Sequence, residues 1–130
     1  MLDKPSGKRL LDAVVALLRD ELMPKLEGAD AFKARVAANA LELVGREIET
    51  GQVVEEGEHR RLVALLGRPG SLDELNRALC DAIRDRRITL ATSGVSEHLW
   101  TSTLDKMAIE QPRYATFQRV RSEQKSGDAS

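Results

Sequence analysis

Two groups of polar residues in this chain have types and spacings that could do chemistry. The first is Glu56-Gly-Glu-His59, because a Glu-x-x-His element on a helix supplies metal ligands in ferritin-like di-iron bundles. Those sites need two such elements and two further glutamates, whereas the other histidine, His98, has no acid three residues before it. The segment therefore predicts a solvated helix start, and a transition-metal site is the weaker alternative.

The second group is the row Arg35, Asn39 and Arg46. Spacings of four and seven residues place these side chains along one edge of a helix. Two guanidinium groups beside an amide could bind a carboxylate or phosphate, or a protein partner. They could equally bind acids of neighbouring helices, so a structural network is the alternative interpretation.

No set of catalytic residues accompanies these groups. The chain has no G-x-S-x-G, C-x-x-C or G-x-G-x-x-G pattern, and Ser6-Gly-Lys8 lacks the rest of a phosphate-binding loop. Nothing near Cys80 in the sequence supplies a base or an orienting acid. We therefore expect no catalytic residue, no bound metal and no cofactor.

The row lies on a predicted central helix of about residues 30–50, with Asp30 as its N-cap and Gly51 just after its end. At about 100° per residue, this helix has two apolar strips. We expect the larger strip to be buried in the middle of a bundle; its members are Phe32, Val36, Ala40, Leu43, Val44 and Ile48. The smaller strip would admit a second helix at close range; its members are Ala34, Ala38, Leu41 and Gly45.

Four further polar residues are predicted to be structural. Glu47 falls within the larger apolar strip, so we expect it to be partly buried and paired, with Asn76 or Arg113 as candidate partners. Tyr114 is the last large side chain before a polar stretch. We therefore expect it to anchor the end of the bundle.

The remaining apolar spacings predict more helices. Ser71 and Glu74 form a capping box at one helix start. The last helix ends before Pro112, and the residues predicted to share its inner face are Trp100, Thr103, Leu104 and Met107. The predicted fold is all-α, a single bundle of four main helices and one short helix. We expect residues 1–114 to form this domain and residues 115–130 to form a flexible, disordered polar tail.

The net charge, the cysteine count and the length of the apolar runs narrow the possible partners and the cellular location. A formal net charge of −1 gives no field that would attract nucleic acid or an anionic membrane. Cys80 is the only cysteine, there is no signal-peptide pattern, and the longest apolar run covers only residues 13–18. We expect a cytoplasmic protein; the sequence does not indicate its oligomeric state.

Three segments resemble a known family. They are F-K-A-R-V-A-A-N-A-L-E-L-V-G-R-E at residues 32–47, L-D-E-L-N-R-A-L-C-D-A-I-R at 72–84 and D-K-M-A-I-E-Q-P-R-Y at 105–114. The family consists of small bacterial all-helical domains of unknown function, free-standing or fused to aminoglycoside-phosphotransferase-like kinases and often associated with acyl-CoA dehydrogenases. The similarity covers roughly residues 5–114.

The resemblance implies a partner rather than an activity, because the kinase motifs are absent from this chain. Our first hypothesis is a non-catalytic interaction or regulatory module, accessory to a kinase-like phosphotransferase or an acyl-CoA dehydrogenase. The second is a small ligand-binding protein or enzyme that uses the edge of Arg35, Asn39 and Arg46 for an acyl-CoA or a phosphorylated metabolite.

Overall fold

The computed structural model describes residues 6–128, and the all-α prediction is confirmed over this range. The α-helices are α1 (Gly7–Ala16), α2 (Gly28–Leu66), α3 (Leu72–Arg84), α4 (Val95–Glu110) and α5 (Ala115–Asp128). Residues 6–128 contain no strand. Within the same range, no helix combines the length and the apolar character needed to cross a membrane.

The chain divides into two compact units, one ending at Gln52 and the other beginning at Val53. The first unit contains α1 and the N-terminal part of α2. The second contains the rest of α2 with α3, α4 and α5.

The first unit is an antiparallel helical hairpin. After α1, the chain makes a π-helical segment (Leu17–Leu22) and a 3-10 turn (Met23–Lys25), with Pro24 at its start. Lys8, near the start of α1, lies 3.9 Å from Glu49, whereas Arg19 reaches back to Glu42 at 3.0 Å. The two helices therefore run in opposite directions.

The hairpin buries the smaller apolar strip of α2 and leaves the larger one open. Ala38 and Gly45 are buried, and the Lys8 side chain crosses directly over Gly45. The prediction that the larger strip is buried was wrong for its large members, apart from Leu43, which is half-buried. The others are between 41% and 58% exposed; they are Phe32, Val36, Val44 and Ile48. Small side chains allow a neighbouring helix to approach closely, so α1 packs on that side.

Helix α2 is longer than predicted. It runs for 39 residues through Gly51, the expected end, and includes the segment that was predicted to be a separate short helix. A glycine inside a helix costs only about 1 kcal/mol relative to alanine, which neighbouring turns can offset. The helix ends instead before Gly67, whose φ of 66° is the left-handed conformation that glycine adopts easily.

The second unit has a small aliphatic core where α2 meets α3. Leu62 and Leu75 are fully buried and Leu79 nearly so, and Leu66 and Ile88 pack around them. The predicted capping box at the start of α3 is confirmed: Ser71 Oγ accepts from Glu74 N, and Glu74 Oε2 accepts from Ser71 N. Burying such leucines contributes about 1.5–3 kcal/mol each.

The expected polar tail contains a helix. Within α5 the Phe117 side chain is only 5% exposed, whereas Tyr114, the predicted anchor, is 53% exposed. Residues 115–128, expected to belong to a flexible tail, are helical in the structure, and the buried aromatic side chain at this end of the chain is Phe117. Phe117 lines a pocket together with Leu104 and Ala108 of α4, the helix that contacts α5.

Candidate functional site

The predicted row of Arg35, Asn39 and Arg46 lies on α2 within the first unit. Its central member, Asn39, accepts a hydrogen bond from the π-helical segment: Arg19 donates from Nη2 to Asn39 Oδ1 at 2.7 Å. The same guanidinium donates from Nε to Glu42 Oε1 at 3.0 Å. Asn39 is therefore part of an ion-pair network that ties α2 to the segment before it.

The two arginines of the row have different surroundings. The Arg35 guanidinium carbon lies 5.8 Å from the centre of the Phe32 ring, at the distance of a cation–π contact, and the Arg35 side chain is exposed. Arg46 is half-buried, and its backbone carbonyl accepts a hydrogen bond from Thr50 Oγ1 at 2.9 Å. The geometry thus leaves the Arg35 end of the row as the part most open to an anion or a partner.

The predicted burial of Glu47 is wrong, because its side chain is exposed. It lies on the side of α2 that the hairpin leaves open, since α1 packs against the small strip instead. Asn76, one of its candidate partners, donates to Glu58 Oε1 at 3.2 Å. The other candidate, Arg113, is exposed beyond the end of α4.

In the Glu56-x-x-His59 element, the histidine has a structural role. Nε2 of His59 donates to the backbone carbonyl of Gly70 at 2.8 Å and so fixes the turn between α2 and α3. Among residues 6–128, no three His, Cys, Asp or Glu side chains come together in a way that could hold a metal ion. Cys80 is exposed on α3.

The structure contains a polar cluster that the sequence analysis missed. His98 of α4 is 3% exposed, and Nε of Arg61 on α2 donates to its Nδ1 at 3.0 Å. The Arg61 Nη2 group also lies 3.2 Å from Ser102 Oγ. The apolar spacing had predicted that the opposite face of α4, which carries Trp100, lies inward. The spacing of Val95, His98 and Ser102, three and then four residues apart, was the available signal.

The hydrogen bond from Arg61 determines which ring nitrogen of the neutral His98 imidazole carries the proton. Since Arg61 donates to Nδ1, the neutral imidazole carries its proton on Nε2. Burial, and secondly the charge of Arg61, lower the pKa of His98, while Glu58 acts weakly in the opposite direction. The imidazole is therefore held neutral, and the cluster joins α2 to α4 by charge-assisted bonding.

The outward side of α4 carries an apolar patch, which we call the tryptophan patch. Trp100 is 49% exposed and Leu90, in the preceding connection, is 71% exposed. Together with Leu99 and Thr103 they line one shallow depression of the second unit. Large apolar side chains gathered in solvent are typical of protein-binding surfaces.

Comparison with curated proteins and with solved structures gave no match. A family model described as a domain of unknown function matches residues 24–114, which span α2, α3 and α4 and most of the chain. The matched range contains the row on α2, the buried histidine cluster and the tryptophan patch. The chain therefore belongs to the DUF6285 family.

Proposed function

We propose that this chain is a non-catalytic interaction or regulatory module that binds a protein partner through the tryptophan patch. The exposure of Trp100 is the observation that carries the proposal. Tryptophan is the residue most enriched among those that dominate binding energy at protein interfaces. Here it lies beside Leu90 and Leu99 on one surface of the second unit.

The partner we propose is a kinase-like phosphotransferase or an acyl-CoA dehydrogenase. Support comes from the resemblance of residues 32–47, 72–84 and 105–114 to helical domains that accompany such enzymes. Separately, Arg35 and Arg46 of the row give the first unit cationic groups that suit an acidic protein surface.

The test measures binding of the full chain to each purified enzyme from the same organism, by calorimetry or surface plasmon resonance. Trp100→Ala should raise Kd about 30-fold or more, the effect of losing a dominant interface residue, with the melting temperature nearly unchanged. Val53→Ala is the matched control, because Val53 is 71% exposed but lies outside the tryptophan patch. Equal affinity of wild type and Trp100→Ala would contradict docking through this patch.

The contribution of the row is measured separately. If it contacts the partner, Arg46→Ala weakens the complex at an unchanged melting temperature; if it serves only the internal network, the melting temperature falls instead. A different result would favour ligand binding: an acyl-CoA or a phosphorylated metabolite that raises the melting temperature of the isolated wild type but not of Arg35→Ala.

A further inference from the structure

The first unit leaves an apolar surface open on α2. We define the open face as Phe32, Val36, Ala40, Val44 and Ile48, all of which are exposed. Its members follow one another at intervals of four residues, so the row winds by about 40° at each step, and Phe32 and Ile48 lie about 80° to either side of Ala40 on the helical wheel. Ala38 and Gly45, which are buried toward α1, lie on the opposite side of the helix. Burying this face in a helix-helix contact would be favourable, because half-exposed valine, isoleucine and phenylalanine side chains lose contact with water.

The open face is symmetric in sequence about Ala40. Phe32 and Ile48 lie eight residues to either side of it, and Val36 and Val44 lie four. If two copies of α2 lie antiparallel with their Ala40 residues together, Phe32 of one copy is level with Ile48 of the other and Val36 is level with Val44, so large apolar residues of both copies flank the contact. The smallest side chain of the face then lies at the crossing point, where two helix axes come closest.

Two charged residues near the open face are also placed symmetrically about Ala40. Lys33 and Glu47 each lie seven residues from Ala40, both are exposed, and both project close to the midline of the open face. In the antiparallel crossing, Lys33 of each copy meets Glu47 of the other, so the contact contains two equivalent ion pairs. A twofold contact requires this kind of self-complementary surface.

We propose that this face binds a second copy of the chain, with the two α2 helices antiparallel across a twofold axis at Ala40. The ion pairs set the register, since a shift by one helical turn would separate Lys33 from Glu47 of the other copy. This inference is independent of the function proposed above, which concerns the second unit.

Helix α1 adds to the same surface. Leu10, Val14 and Leu17 are exposed, and on the helical wheel they lie to one side of the residues that contact α2. On α2, the open face is rotated away from the residues that contact α1 by a similar angle and in the same direction, when each helix is viewed from its N-terminus. Since the helices are antiparallel, these two displacements bring both apolar rows to one side of the hairpin. Two hairpins joined there form a four-helix bundle.

The available area matches what a stable dimer needs. The seven large side chains of both rows are about half exposed, and at roughly 150 Å² for each fully exposed they leave on the order of 500 Å² per copy in solvent. A standard interface covers about 800 Å² per partner, of which about 65% is apolar in homodimers. The apolar part of such an interface is therefore present.

The test uses the full chain in light scattering after size exclusion and in analytical ultracentrifugation. We expect wild type at about 100 µM to have twice the chain mass of 14.4 kDa. Lys33→Glu or Glu47→Lys alone places two like-charge pairs in the dimer and should raise its Kd at least about tenfold. Mixed in equal amounts, with one variant tagged, the two variants should form a heterodimer, because each reversal then faces an opposite charge.

Two further variants keep the result interpretable. Ala40→Glu, at the crossing point, should give a monomer with the helical circular dichroism of wild type, because Ala40 is exposed within the chain. Leu90→Glu, on the second unit, should leave the dimer intact. A wild type that is monomeric at about 100 µM overturns the proposal, and so does a dimer that neither single charge reversal weakens.

Discussion

At the scale of single residues, His98 links the stability of the second unit to pH. Burial and the Arg61 charge hold its pKa below the ordinary value of 6.5. In the unfolded chain the imidazole regains its ordinary pKa, so acidification protonates the unfolded state first. The stability from this group is complete above pH 6.5. It is lost as the pH falls through 6.5 toward the folded-state pKa, at up to about 1.4 kcal/mol per pH unit.

Thermal melts between about pH 8 and pH 5 should show this loss in wild type and a smaller loss in His98→Asn. The asparagine carbonyl can accept the Arg61 hydrogen bond, but it does not titrate. His59→Asn is the matched control for a histidine outside the cluster. Parallel curves for wild type and His98→Asn would show that His98 contributes nothing to the pH dependence.

At the scale of elements, the continuity of α2 through Gly51 is testable by substitution. A Cβ added at Gly51 would meet Glu47 Cγ at 3.5 Å, an ordinary contact, and the backbone there is helical. Gly51→Ala should therefore raise the free energy of unfolding by about 0.5–1 kcal/mol in urea titrations. Gly67→Ala should lower it by about 1 kcal/mol, because φ is 66° at that position. Destabilisation by Gly51→Ala would indicate that α2 ends at Gly51, as the sequence suggested.

At the scale of the whole chain, α5 is part of the folded protein through Phe117. The buried ring lines a pocket together with Leu104 and Ala108 of α4, the helix that α5 contacts, and the Arg121 guanidinium carbon lies 5.8 Å from the ring centre. Phe117→Ala should cost about 3–5 kcal/mol, and a chain ending at Tyr114 should melt lower than wild type, whereas Tyr114→Ala should cost far less. Equal melting temperatures for the full chain and the chain ending at Tyr114 would place α5 outside the cooperative fold.

Local chemistry made parts of this architecture predictable. The capping box of Ser71 and Glu74 needs only neighbouring atoms, and the end of α4 before Pro112 follows from proline sterics. The row of Arg35, Asn39 and Arg46 is likewise a consequence of helical spacing. Its engagement by Arg19 was not predictable, because that contact joins residues 20 positions apart.

The burial of single side chains was the least predictable feature. Glu47, which we expected to be partly buried, is exposed, and His98, for which the sequence analysis predicted no structural role, is buried against Arg61. A helical wheel shows on which face of a helix a residue lies, but it does not show which face packs against another helix. Trp100 shows the same limit, since its spacing from Leu104 and Met107 predicted an inward position, whereas its side chain is 49% exposed.

By itself, the amino-acid sequence determined that this protein is helical, where α3 begins and that α4 ends before Pro112, because caps, prolines and apolar spacing act within a few residues. Only the tertiary structure decided which strip of α2 is buried. Both strips are apolar, so hydrophobicity alone ranks the larger one first. Close approach of α1 requires the small side chains around Ala38 and Gly45, and this packing leaves the larger residues in solvent.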